Sequence, residues 1–137
     1  MELRGEELLP GAASGALLVL DAPLSFWGGV DPGSGRITQV RHPQVGQTIA
    51  GTILALPATI GSSSSSSVLL ELIAGGRAPA ALVLRDVDAI LLLGAVVARE
   101  LGWAAPPALR IEAAGWDRLV TGRHAALDGG RLVVDRS

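Results

Sequence analysis

Residues 57–73 read "PATIGSSSSSSVLLELI". Six consecutive serines, Ser62 to Ser67, set a row of hydroxyls between a β-like run and an apolar segment with helical spacing. Two readings fit this stretch. Gly/Ser tracts are commonly flexible coil, which makes the run a linker. The alternative is the turn from a strand into a helix. A linker would leave pieces of about 60 and 70 residues, each near the lower limit for independent stability. Serine also suits a helix start, because its hydroxyl can accept from backbone N–H groups there. The pattern favours the strand-to-helix turn. On that reading the N–H groups around Ser62 to Ser65 are unpaired donors. They carry about half a positive charge through the helix macrodipole. A carboxylate or phosphate can sit there, and Gly61 lets the backbone approach it closely. The same field stabilises an alkoxide on a serine. Serine can then act as a general base, provided a partner supplies further positive charge.

The second unusual stretch is "LSFWGG", residues 24–29. Phe26 and Trp27 are half of the four aromatic residues, and they stand beside two glycines. One reading is a small hydrophobic cluster under a loop. The other is a rim that docks a partner or walls a pocket. His42 and His124 with an aspartate invoke a serine-hydrolase triad, but no spacing supports one, and each reads better as a surface or loop histidine. There is no Walker loop and no G-x-S-x-G elbow. With two histidines and no cysteine, a transition-metal site within the chain is not expected. Arg77, Arg85 and Arg99 read as solvated charges around the helices.

The elements that must position these residues follow from periodicity. Ala16 to Leu20 is a buried strand closed by Ala22-Pro23. A Gly/Pro-punctuated loop follows. "RITQV" alternates like a short strand, and "TILALP" is a second buried strand ended by Pro57. Val68, Leu69, Leu72 and Ile73 share one helical face, and Gly75-Gly76 stops that helix. Ala80 to Leu84 is a strand. Asp88 caps a helix running to about Leu101, with Gly102 as its stop. "ALRIEA" is a strand, and "HAALDGGRLVVD" is a hairpin about its Asp-Gly-Gly. The order predicts one compact mixed α/β domain over residues 1–137, with a largely β-barrel-like core.

Composition narrows the function. Hydrophobic residues are 49% and charged residues 18% of the 137, and mean hydropathy is +0.45, apolar enough to call for a covering partner. A net charge of -2 and few aromatics argue against nucleic-acid binding. The N-terminus has no apolar signal core. The longest apolar run, Ala89 to Ala98, is half of the roughly 20 residues needed to span a membrane. A cytoplasmic protein is expected.

Taken together, "APLSFWGGVDPGSGRI", "HPQVGQTIAGTILALP", "GSSSSSSVLLELIAGGRAPAALVL" and "DAILLLGAVVARELG" resemble, in order, the swivel domain or small subunit of aconitase X. "PLSFWGG" is the most specific of these signals, and the last 30 residues match only as a barrel-closing hairpin. The resemblance implies a swivelling β/β/α domain like the mobile domain of aconitase. It implies the small subunit of a heterodimeric hydro-lyase, inactive alone. The large, cysteine-containing subunit would carry an iron–sulfur cluster or iron, and this chain would hold no cofactor. It implies Ser62 as the base, with Ser63 as understudy. The iron, as a Lewis acid, would take the departing hydroxyl. Gly61, Ser63 and Ser64 would hold a small carboxylate substrate, with Ser25, Phe26, Trp27, Gly28 and Gly29 beside it. Many members read Arg-Gly-Ser at this turn, whereas this chain has Ile60-Gly61-Ser62, which removes an arginine clamp for an anion. The family's activities include dehydration of cis-3-hydroxy-L-proline and of phosphomevalonate. A lysine-free composition rich in alanine and arginine resembles that of a GC-rich bacterium and favours the first. A non-catalytic module binding an anion or a partner on the same fold is the competing expectation.

Overall fold

The computed structural model describes residues 1–61 and 63–136. In chain order it contains β1 (Glu2–Arg4), β2 (Glu6–Leu9), β3 (Ala12–Val19), α1 (Phe26–Gly29), β4 (Ile53–Leu56), α2 (Ser65–Ala74), β5 (Ala81–Leu84), α3 (Ala89–Glu100), β6 (Ala108–Arg110), α4 (Ala113–Trp116), β7 (His124–Asp128) and β8 (Arg131–Val134). The strands pair in the order β1-β8-β7-β3-β4-β5-β6-β2. β3, β4, β5 and β6 run parallel, and the remaining neighbours are antiparallel.

The two ends of that order are consecutive in sequence. β1 pairs with β8 and β2 pairs with β6, and only Gly5 separates them. A single residue spans at most about 3.6 Å, so the sheet ends must meet and the sheet closes into a barrel. Gly5 makes the joint. Its N–H donates to Gly130 O at 2.9 Å, and a Cβ there would stand 2.1 Å from Arg110 O. The acidic N-terminus, read from sequence only as lacking a signal core, is therefore the closing seam. Its strands are short and mostly charged, so no apolar alternation announces them.

Side chains alternate across the parallel strands. Leu17, Ile53, Ala55, Ala81, Val83 and Leu109 point into the barrel, where Leu127, Leu132 and Trp116 complete the packing. Leu18, Leu54, Leu56, Leu82 and Leu84 point outward under α2 and α3. β4 and β5 are buried on both faces, which is why their sequences are unbroken apolar runs. α2 and α3 approach closely at Gly94, where a Cβ would lie 2.5 Å from Ser66 O.

The helix from Asp88 and its stop agree with the sequence reading. Asp88 accepts from the N–H groups of Ile90 and Leu91, and Gly102 has φ +79°. The hairpin turns on Gly129 and Gly130, both at positive φ. "RITQV" differs from expectation. It forms no strand, only isolated bridges Val30–Ile37 and Arg36–Thr48. Its alternation instead buries Ile37 among loops, with Ile37 N–H bonded to Gln47 O at 2.8 Å.

Candidate functional site

The serine run is a crossover. It follows β4 and leads into α2, whose first residues are Ser65 to Ser67. The linker reading therefore fails for these serines. The helix opens later than the expected donors at Ser62 to Ser65 implied. Ser64 occupies the N-cap position with αR backbone angles and no side-chain capping bond. The first ladder bond is Val68 N–H to Ser64 O, at 3.2 Å. The first-turn N–H groups thus belong to Ser65, Ser66 and Ser67. Ser63 and Ser64 form the preceding turn. Ser62 lies outside the described residues.

A second segment meets this turn. Leu24 and Thr59 form a parallel bridge. Leu24 N–H donates to Ala58 O, and Ile60 N–H donates to Leu24 O, each at 3.1 Å. Ser25 and Ile60 therefore leave neighbouring stretches in the same direction, and the two unusual motifs of the sequence lie side by side. They do so beyond the carboxyl ends of β4 and β5, the end of a parallel barrel at which functional loops gather.

Ser25 to Gly29 divides its roles. Phe26 is fully buried in the core under the helices, while Trp27 is 64% exposed. Phe26 thus joins the main core rather than a small cluster under the loop, while Trp27 walls a groove. Gly28 is at φ +78°, and the Ser25 hydroxyl donates to Trp27 O at 2.8 Å. Ser25 N–H donates to Gln39 Oε1 at 2.9 Å. Trp27, Gly28, Val30 and Thr38 wall a groove of about 500 Å³ against Val68 and Glu71 of α2.

A crevice of about 450 Å³ lies beside Gly61, lined by Thr59, Asp86, Val87, Asp88 and Ile90 among others. Asp88 is fully engaged there. One oxygen caps α3, and the other accepts from the Thr59 hydroxyl. Asp86 is exposed, with Arg85 Nε 3.8 Å away. The Arg85 guanidinium in turn lies over the Trp116 ring. Sequence reading saw Asp88 only as a cap and passed over Thr59 and Asp86. Only folding brings the ends of two strands together, so no local spacing could have signalled the set.

The Ser65 hydroxyl is buried and has no hydrogen-bond partner among the described residues. Asp31 lies in the loop below Trp27. Its carboxylate accepts from the Ser34 hydroxyl and the Gly33 N–H, and these bonds hold its pKa below the ordinary value.

His42 is a loop residue, as expected, but a buried one. It is 3% exposed. Its Nε2 lies 3.0 Å from Ala22 O, and its Nδ1 accepts from Gln44 N–H at 3.0 Å. Nε2 therefore carries the proton, and neither nitrogen is left for a nucleophile. His124 is exposed and faces Asp135 at 3.9 Å. Among the described residues, no three His, Asp or Glu side chains converge as metal ligands, and no helix is long and apolar enough to cross a membrane.

A closed barrel with two helices on one wall, and a serine-bearing turn at the strand ends, defines a β/β/α swivel domain. The family model of the aconitase X swivel domain matches residues 2–135. The chain is 50% identical over 130 residues to cis-3-hydroxy-L-proline dehydratase of Pseudomonas aeruginosa, covering 94% of this chain and 22% of that enzyme. It is 31% identical over 137 residues to the phosphomevalonate dehydratase small subunit of Methanocella arvoryzae, covering 100% of both. The crystal structure of Thermococcus kodakaraensis aconitase X in its holo-form is similar with a TM-score of 0.87 at 30% identity, covering 99% of each chain. The chain belongs to the aconitase X swivel-domain family. It spans only about a fifth of the length of the Pseudomonas relative and of the enzyme of the same name from Hypocrea jecorina.

Proposed function

We propose that this chain is the small subunit of a heteromeric, cytoplasmic aconitase X-type hydro-lyase that removes water from cis-3-hydroxy-L-proline, with Ser62 as the base. The observation that carries this reading is the meeting of the Gly61 turn with the Ser25–Gly29 segment beyond the ends of β4 and β5. A helix N-terminus there favours a substrate carboxylate and a serine alkoxide alike. Gly61, Ser63, Ser64 and the first turn of α2 hold the carboxylate. Ser62 takes the proton from the carbon next to it. The hydroxyl leaves from the adjacent carbon, a double bond forms between the two, and proton and hydroxide depart as water. Trp27, Gly28 and Gly29 wall the site from the other side, with Ser25 and Phe26 fixing their loop.

The crevice charge favours an amino acid over a phosphate ester. Asp86 and Asp88 line it, and its described lining contains no lysine or arginine. A cyclic amino acid offers a carboxylate to the helix and an ammonium to Asp86. A phosphorylated hydroxy acid adds negative charge that these aspartates repel. Ile60 is 51% exposed beside the turn and offers such a group no cation.

The iron centre implied by the family does not fit this chain's residues. It has no cysteine, and no ligand cluster occurs among the described residues. We place that centre on a cysteine-containing large subunit, and none of the steps given to this chain passes through it.

The test is reconstitution. The chain and the large subunit are assayed singly and mixed, with cis-3-hydroxy-L-proline and with phosphomevalonate. Only the mixture should eliminate water, and from the first substrate. Turnover of phosphomevalonate alone would move the assignment to the second activity known among relatives. Micromolar carboxylate binding by the isolated chain, without turnover in any mixture, would favour a non-catalytic module.

A further inference from the structure

The outer face of α3 is apolar and uncovered. Leu91, Leu92, Gly94, Ala95 and Ala98 are buried against α2 and the sheet. The opposite face carries Ile90, Leu93, Val97 and Leu101, exposed by 46%, 51%, 37% and 55%. Their spacing of three, four and four residues draws one stripe along the helix, about 17 Å long at 1.5 Å per residue. No charged residue interrupts it between Ala89 and Ala98, and the exposed Glu100 borders only its far end beside Leu101. Arg99 turns away, donating to Pro10 O at 2.6 Å.

The helix-free wall of the barrel is different. Glu2, Arg4 and Arg131 form ion pairs across β1 and β8 there. A surface helix normally keeps charges on its outer side. An outer face that stays uncharged from Ala89 to Ala98 marks an interaction site.

The stripe is continuous with the crevice. Val87 and Ile90 line the crevice beside Gly61, and Ile90 begins the stripe. Whatever closes the crevice therefore reaches the stripe without a break. The relatives indicate the occupant's size. In the Pseudomonas enzyme the matched region is 22% of the chain, so most of that enzyme lies outside this domain. In Methanocella the same domain is a complete small subunit.

We infer that the stripe from Ile90 to Leu101 is the docking face for the large subunit, packing an apolar surface of that subunit along α3 and anchoring it at the mouth of the crevice. This rests on the functional reading above. A second copy of this chain seated on the stripe would cover the crevice with a domain that brings no cysteine. The large subunit would cover it with the rest of the enzyme.

The absence of cysteine gives a direct test. Leu93→Cys and Val97→Cys are labelled with a maleimide, alone and after mixing with the large subunit, and followed on this chain by mass. Ser14→Cys on the helix-free side is the control. Labelling at 93 and 97 should slow about tenfold or more in the complex, with position 14 unchanged. In a second arm, Leu93→Glu combined with Val97→Glu should weaken association about 100-fold, while the melting curve of the isolated chain stays close to wild type. Wild-type chains that fail to co-elute would overturn the functional reading and the interface with it. Co-elution with positions 93 and 97 still labelled at their free rate overturns the interface alone. So does a dimer of this chain whose formation by itself protects them.

Discussion

Phe26 and Trp27 show how far neighbouring residues can diverge in role. Phe26→Ala empties a fully buried site and should cost about 3–5 kcal/mol in urea unfolding. Trp27→Ala removes a side chain that is 64% exposed, and stability should stay within about 0.5 kcal/mol. Its effect belongs to the reconstituted enzyme, as a raised KM. Asp86 gives a sharper residue-scale prediction. If it faces the substrate ammonium, Asp86→Asn should raise KM for cis-3-hydroxy-L-proline about tenfold and leave kcat nearly unchanged. An unchanged KM would remove Asp86 from substrate binding.

Loop and helix starts set the next scale. The Asp31 carboxylate is ordered by the Ser34 hydroxyl and the Gly33 N–H, which lower its pKa. Its contribution to the loop is therefore present above the unfolded value and is lost as pH falls through the lowered, folded one. An NMR titration should place its midpoint below the ordinary 3.8, and Ser34→Ala should move it back up. Helix α3 was legible in sequence because Asp88 and Gly102 mark its ends and its buried face is periodic. α2 was legible through Val68, Leu69, Leu72 and Ile73, but its start was not. Six identical serines carry no mark of where the ladder begins, and the structure sets that point at Ser65. The pairing of Leu24 with Thr59 joins residues 35 positions apart, and neither carries a local signal of the other.

Across the whole molecule, closure depends on one residue. Gly5→Ala would drive a Cβ into Arg110 O and should lower stability by about 1–3 kcal/mol, read as a lower denaturant midpoint. This seam was invisible in sequence, because two short charged strands become a barrel wall only through partners 99 or more residues away. The apolar composition was legible, and α3 shows where part of it lies. In the proposed function, this chain brings the proton acceptor to a site that another subunit completes. The most direct measurement is kcat for water elimination by the reconstituted complex carrying Ser62→Ala. A fall of about 10²–10⁴-fold is expected, with the complex still forming and the melting curve unchanged. A kcat equal to that of the wild-type complex would contradict it.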